Sequence, residues 1–161
     1  FKAVKIYRTN MQRPDKAFEI INPVLKKSPP FLLEASMEQE LAKIHLARRQ
    51  FEEAETHFLA AFEKTKDCAS LKALQLDLVQ TYSLSKKCDR ALEWSARPLP
   101  NSCARDDYSL AIERAHCYET TGESSKSIRI YEEMISQNPK NSRLHFKLES
   151  LRQRIREKQR R

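Results

Sequence analysis

Residues 50–61 read QFEEAETHFLAA, and residues 41–45 shortly before them read LAKIH. In the longer stretch, small and aromatic side chains fall on one face of a helix, at Phe51, Ala54, Phe58 and Ala61. Such a face lets two antiparallel helices pack closely, because alanines stand where the backbones cross and rings fill the gaps beside them. The stretch therefore predicts a pair of closely packed helices.

The same arrangement returns along the chain at a nearly constant interval. Small residues at Ala17, Ala54, Ala91 and Ser127 are separated by 37, 37 and 36 residues. Each is followed at helical spacing by residues that can pack on a neighbouring helix, namely Ile21 and Val24, Phe58 and Ala61, Ser95, and Tyr131 and Met134. Self-similarity at such a period indicates a repeat protein in which one helical unit stacks on the next.

The composition restricts the fold and the kinds of site. The chain has 161 residues and a single glycine, Gly122, where average usage is about 7%. Gly-rich phosphate loops, dinucleotide fingerprints and nucleophile elbows all need glycine backbone geometry, so these sites are excluded. The shortage of glycine turns also disfavours a β-rich fold. No run of 18 apolar residues is present, so we expect no membrane span.

The repeats resemble the tetratricopeptide repeat (TPR) family, whose pattern reads W-x2-L-G-x2-Y, then A-x3-F, then P. In the second repeat Leu41 and Ala42 stand for the leucine–glycine pair and His45 for the tyrosine, a position that Tyr82 and Tyr118 take in the next two repeats. The resemblance implies an all-α, right-handed superhelical α-solenoid of antiparallel helix pairs. Its units within residues 1–141 are four TPR-like helix pairs at about 1–30, 31–68, 69–104 and 105–141, followed by a capping helix with a basic end at 142–161.

Several local signals predict where helices end. Pro23 predicts a kink or an early end near Asn22, and the RPLP sequence at 97–100 should stop its helix early. Gly122 predicts a helix C-cap. We expect Ser124 or Ser125 to cap the next helix and Asn141 or Ser142 to cap the last one. In that last helix, the residues expected to cover the core of the fourth pair are Leu144, Leu148, Leu151 and Ile155.

The cysteine spacing gives two interpretations. Cys68, Cys88, Cys103 and Cys117 form no C-x2-C pair, so we expect buried reduced thiols and an intracellular location, cytoplasmic or nuclear. The alternative is a zinc site formed by long-range convergence with His116 or another histidine. We predict no metal and no cofactor. Because the chain opens at Phe1, inside what reads as a helix, we expect it to be part of a longer protein.

No catalytic constellation is apparent, and we expect no enzyme activity. His116 and Cys117 are adjacent, and adjacent helical residues point in different directions, which disfavours a nucleophile–base pair.

The family resemblance implies recognition of another protein. In TPR proteins the first helices of the pairs line a concave groove that holds a peptide or helix. The resemblance assigns to that groove Lys2, Ile6, Gln39, Lys43, Leu76, Gln80, Ile112, His116 and Glu119. The chain lacks the lysine–asparagine clamp with which chaperone-adaptor TPR domains hold a C-terminal carboxylate. We therefore expect a protein–protein interaction scaffold that binds a peptide or helix of a partner protein within a larger multi-subunit assembly, with no small-molecule substrate.

The net charge of +8 is concentrated at the two ends, with +5 in residues 1–27, −3 in 28–141 and +6 in 142–161. The C-terminal end carries a basic tail formed by Arg152, Arg154, Arg156, Lys158, Arg160 and Arg161. It is either a solvated helix end at the negative pole of the helix dipole or a phosphate-binding or nuclear-targeting segment.

The second interpretation of the tail gives the alternative function. The chain would then be a nucleic-acid-associated helical repeat that binds phosphate backbones through its basic N- and C-terminal ends. An architectural segment that packs against other parts of its own chain is a third alternative.

Overall fold

The computed structural model describes residues 13–27, 31–100, 103 and 107–160, and the regular secondary structure within them is entirely helical. Their helices are α1 (Pro14–Leu25), α2 (Phe31–Ala47), α3 (Phe51–Lys64), α4 (Cys68–Leu84), α5 (Cys88–Ala96), α6 (Asp107–Thr120), α7 (Ser124–Gln137) and α8 (Ser142–Gln159). Each helix packs against the next along the chain, and α4 also contacts α6. The all-α prediction is confirmed for the described part, whereas the helix predicted at about 1–10 lies outside it.

The small residues that recur in the sequence are buried in the core. Ala17, Ala54, Ala91 and Ser127 are each at most 1% exposed. One of them lies in each of α1, α3, α5 and α7, near the start of the helix. Because their side chains are so small, the helix backbone can approach its neighbour closely at these positions.

The hydrophobic core follows the order of the helices. Ile21 of α1 packs with Leu41 and Ile44 of α2. A central cluster then joins α2 through α6, with Phe58 and Trp94 among its large side chains. A third cluster joins α6, α7 and α8. Each cluster is therefore built from side chains of consecutive helices.

The last helix closes the third cluster as the sequence predicts. Leu144, Leu148 and Leu151 are buried in it, and Ile155 packs against it while partly exposed. Asn141 caps α8, because its side chain accepts a hydrogen bond from the backbone N–H of Leu144.

The turns inside three helix pairs repeat one backbone geometry. Arg49, Lys86 and Gly122 have φ values of 60°, 61° and 84°, and they lie five residues before the small residues of α3, α5 and α7. In the first turn the Gln50 N–H bonds to the His45 carbonyl, and the Arg49 N–H bonds to the Leu46 carbonyl. This is the Schellman arrangement of a helix C-terminus. The predicted C-cap at Gly122 is therefore one of a series of three.

Two predictions of helix ends are wrong. Of the two alternatives given for Pro23, the early end near Asn22 is wrong, because α1 continues to Leu25 and the next turn closes through the Lys26 N–H and the Asn22 carbonyl. The kink stays a prediction. Neither Ser124 nor Ser125 caps α7. The helix begins at Ser124, and its first turn closes through the backbone carbonyl of Glu123.

Two apolar side chains at helix ends are exposed, and one of them, Val24, was predicted to pack on a neighbouring helix. Val24 is 44% exposed and Leu84 is 59% exposed. Each stands in the last turn of its helix, at the margin of the core.

His45, in the position of the repeat tyrosine, is a packing residue. It is buried, and its ring stacks on that of His57 with centroids 5.2 Å apart. Burial lowers the pKa of His45 against the opposing effect of its hydrogen bond to Gln50, and the neighbouring His57 lowers it further.

The short α5 ends where the sequence predicts, at the segment that begins with Arg97. The buried amide of Gln75 in α4 donates hydrogen bonds to the carbonyls of Trp94 and Arg97, at 3.0 and 2.8 Å. The Arg97 guanidinium lies 4.4 Å from the centre of the Trp94 ring. Side chains of α4 and α5 thus hold the chain in an extended course after the helix.

A disulfide connects the start of α4 to the segment that follows α5. Cys68 and Cys103 are joined across a sequence separation of 35 residues, so the prediction of reduced thiols is wrong for this pair. Their side chains approach because Leu99 and Cys103 pack on Leu71 of α4. Cys88 and Cys117 are free and buried. Burial and the neighbouring Cys88 raise the pKa of Cys117 to about 12, so this thiol stays protonated and unreactive.

Replacing both cysteines of the disulfide, as Cys68→Ser with Cys103→Ser, should lower the free energy of unfolding by about 4 kcal/mol, because a closed loop of this length restricts the unfolded chain. Urea unfolding followed by circular dichroism measures the loss. Wild-type protein in excess dithiothreitol is the matched control and should unfold at the urea concentration of the double variant. Equal stability of oxidised and reduced wild type would show that the bond does not form or does not stabilise the fold.

Candidate protein-binding face

Seven of the nine predicted groove positions fall on three helices. Gln39 and Lys43 lie one turn apart on α2, and Leu76 and Gln80 lie one turn apart on α4. Helix α6 carries Ile112, His116 and Glu119. Lys2 and Ile6 lie outside the described residues. We call the surface formed by the seven the inner face.

At the α2 end of the inner face, two of the predicted side chains contact a single carboxylate. Asp77 of α4 accepts a hydrogen bond from the Gln39 amide at 2.9 Å and lies 3.3 Å from the Lys43 ammonium. These contacts tie α2 to α4. The predicted positions Gln39 and Lys43 are therefore already satisfied within the chain. Leu76, on the same side of α4, packs against the central core.

At the α8 end, the inner face is closed by Glu119. Its carboxylate pairs with Arg154 of α8 and accepts a hydrogen bond from the Tyr131 hydroxyl at 3.0 Å. Burial and the negative charge of Glu119 raise the pKa of Tyr131. A predicted groove residue and a predicted tail residue thus meet in one ion pair, which joins α6 to α8.

The same arrangement of tyrosine, glutamate and cation joins α3, α4 and α5. The Tyr82 hydroxyl donates to Glu55 at 3.0 Å, and Arg90 and Lys87 pair with the same carboxylate. Burial and Glu55 raise the pKa of Tyr82 to about 12, so this hydroxyl remains a hydrogen-bond donor.

Between the contacts to Asp77 at the α2 end and the contacts to Glu119 at the α8 end lies an open depression of about 430 Å³. Three predicted positions line it: Gln80 of α4, and Ile112 and His116 of α6. The remaining lining residues are Ser83, Leu84, Glu113, Arg143 and Lys147. Helices α4, α6 and α8 therefore each contribute one wall. We call this feature the inner depression.

Leu84, Arg143 and Lys147 are not among the predicted groove positions. Leu84 is an apolar residue in the last turn of α4, and most of its side chain is open to solvent at the rim of the inner depression. Arg143 and Lys147 belong to the helix expected only to cap the array. Their spacing of four residues was the available signal, because it places both on one side of α8.

A second depression, of about 490 Å³, lies between α2 and the turn that joins α3 to α4. Of the predicted groove positions only Gln39 borders it, and its other lining residues are Ala35, Ser36, Lys64, Thr65, Lys66, Asp67 and Ser70. It is a crevice beside one turn. The inner depression, in contrast, joins three predicted positions from two helices.

The basic tail is partly used inside the fold. Arg152 pairs with Glu132 of α7 at 2.7 Å and with Glu149 at 2.9 Å, and Arg154 pairs with Glu119. Arg156 lies 3.8 Å from Glu149. Lys158 and Arg160 are exposed at the end of α8. Arg161 lies outside the described residues.

The described residues contain neither a group of side chains suited to a metal ion nor a helix suited to crossing a membrane. Across 13–27, 31–100, 103 and 107–160, histidine, cysteine, aspartate and glutamate side chains nowhere form a group of three suited to holding a metal ion. In the same residues no helix combines the length and the apolar character needed to cross a bilayer.

Comparison with protein-family models, with curated proteins and with solved structures gave no match.

The Glu119 carboxylate should contribute more stability than Glu132, an exposed carboxylate that pairs with the same helix, because Glu119 also accepts the Tyr131 hydrogen bond. Glu119→Ala leaves the Tyr131 hydroxyl without its acceptor, and we expect a loss of about 1–3 kcal/mol in the free energy of unfolding. The matched control is Glu132→Ala, which removes the exposed partner of Arg152 and should cost less than about 1 kcal/mol. Urea unfolding of both variants gives the comparison, and equal losses would contradict the assigned contacts.

Proposed function

We propose that the chain is a TPR-like α-solenoid and that it acts as a protein–protein interaction scaffold within a larger multi-subunit assembly. Three observations support the repeat. Small buried residues recur at 36 or 37 residues, the turns Arg49, Lys86 and Gly122 recur in step with them, and each helix packs on the next. Helices α2, α4 and α6 would then line the concave side and α3, α5 and α7 the convex side.

The observation that carries the proposal is the inner depression. The predicted groove positions Gln80, Ile112 and His116 come together in it, and Leu84 adds exposed apolar surface at its rim. An amide, an imidazole and aliphatic side chains around one concave surface can hold the backbone and one apolar side chain of a peptide or helix. The proposed ligand is therefore a segment of a partner protein.

The alternative, nucleic-acid binding through the basic ends, has narrower support. Arg152 and Arg154 are held in ion pairs with acidic side chains of α6, α7 and α8. The cations that remain exposed at the C-terminal end of α8 are few, and a phosphate backbone needs several contacts for appreciable affinity. We place this function second.

Site-specific photo-crosslinking tests the proposal. A benzophenone amino acid replaces His116 in the inner depression and, as the matched control, the exposed Arg129 of α7. In cell extracts, position 116 should give discrete protein adducts that position 129 does not give and that persist after nuclease treatment. Mass spectrometry should place each adduct on one segment of the partner. Identical adducts from both positions, or adducts that disappear with nuclease, would contradict the proposed site.

A further inference from the structure

We propose that the inner depression selects an acidic segment, in which two carboxylates flank or follow an apolar residue. This inference rests on the proposed function, since it names the chemistry of the partner that the same site would take.

The first support is the pattern of paired and unpaired charges on the inner face. At one end Lys43 pairs with Asp77, and at the other Arg154 pairs with Glu119. Between them, Arg143 and Lys147 line the depression, and neither has an ion-pair partner within 4.0 Å in the described part of the chain. The fold therefore neutralises the cations at both ends of the face and leaves two open to a ligand.

The second support is the charge balance of the depression itself. Its charged lining residues are Arg143, Lys147 and the half-buried Glu113. Two cations and one carboxylate make the lining net positive. Such a lining attracts carboxylates and disfavours a basic segment.

The third support is the spacing. Arg143 and Lys147 are four residues apart on α8, so their Cβ atoms are about 5–6 Å apart. Two carboxylates at positions three or four apart on a helix have the same spacing. Alternate residues of an extended segment lie about 7 Å apart and also fit. Leu84 and Ile112, on the opposite walls, provide the contact surface for an apolar side chain of the same segment.

A display selection tests the inference with a defined probe, a library of random twelve-residue peptides. The full 161-residue chain is the bait. Enriched peptides should contain two or more aspartates or glutamates and an apolar residue. A fluorescein-labelled copy of the most enriched peptide is then titrated with the protein, and binding is followed by fluorescence anisotropy. Its affinity should fall at least fivefold when sodium chloride is raised from 50 to 500 mM, since the cations are near the surface.

Variants assign that binding to the two cations. Arg143→Glu with Lys147→Glu should weaken it at least tenfold, and Arg143→Gln with Lys147→Gln should weaken it less. The matched control is Arg129→Glu with Lys140→Glu, which changes the net charge equally at exposed positions outside the depression and should stay within twofold of wild type. A selection against the double glutamate variant should enrich basic peptides instead. Circular dichroism verifies that every variant is folded.

The outcomes separate this inference from the proposed function. The acidic-segment inference is overturned if the enriched peptides are neutral or basic. It is also overturned if acidic peptides bind the double glutamate variant as tightly as wild type. In both cases the proposed peptide-binding function still stands. If no peptide binds wild type, both proposals fail. A labelled twenty-nucleotide single-stranded DNA that binds more tightly than any peptide, and is lost on the same charge reversal, overturns the inference in favour of a phosphate ligand.

Discussion

The architecture depends on one residue in each of α1, α3, α5 and α7 that is too small to hold the helices apart. Ala17, Ala54, Ala91 and Ser127 are almost completely buried, and a longer side chain at any of them would have to displace the neighbouring helix. The turn before each of the last three has its left-handed residue at a constant offset of five positions. The small buried residue and the left-handed turn thus recur together in these three helix pairs.

The inner face is formed by helices that lie beside one another, and α4 and α6 are in direct contact. Side chains of neighbouring helices pair across this face, as Lys43 with Asp77 and Arg154 with Glu119 do. These ion pairs are partly exposed, so their stabilising effect is modest. The inner depression, where Arg143 and Lys147 lie, is the part of the face beside these contacts that stays open.

Much of the fold follows from local sequence. The helical class, the small buried residues and the caps at Gly122 and Asn141 depend on spacing and on nearby backbone geometry. These are properties that one stretch of chain carries by itself. At Pro23 the sequence left two alternatives open, a kink or an early end, because a local breaker signal does not determine whether the helix continues beyond it.

The rest depends on which distant side chains meet. The Cys68–Cys103 bond forms because the segment after α5 folds back on α4. The spacing of the cysteines in the sequence does not predict that course of the chain. The pairing of Glu119 with Arg154 and the position of Arg143 and Lys147 beside His116 depend on the angle at which α8 packs on α7. A one-dimensional pattern predicts that α8 covers the core, since Leu144, Leu148 and Leu151 share a face. It does not predict which polar residues border that contact.

If the small buried residues set the approach of the paired helices, longer side chains there should destabilise the fold. The test is the free energy of unfolding, from urea titrations, of Ala54→Leu and Ala91→Leu beside the exposed control Ala96→Leu on α5. Each buried substitution should lower stability by about 1–3 kcal/mol through overpacking, while the control should stay within about 0.5 kcal/mol of wild type. Variants at 54 and 91 as stable as the control would contradict this expectation.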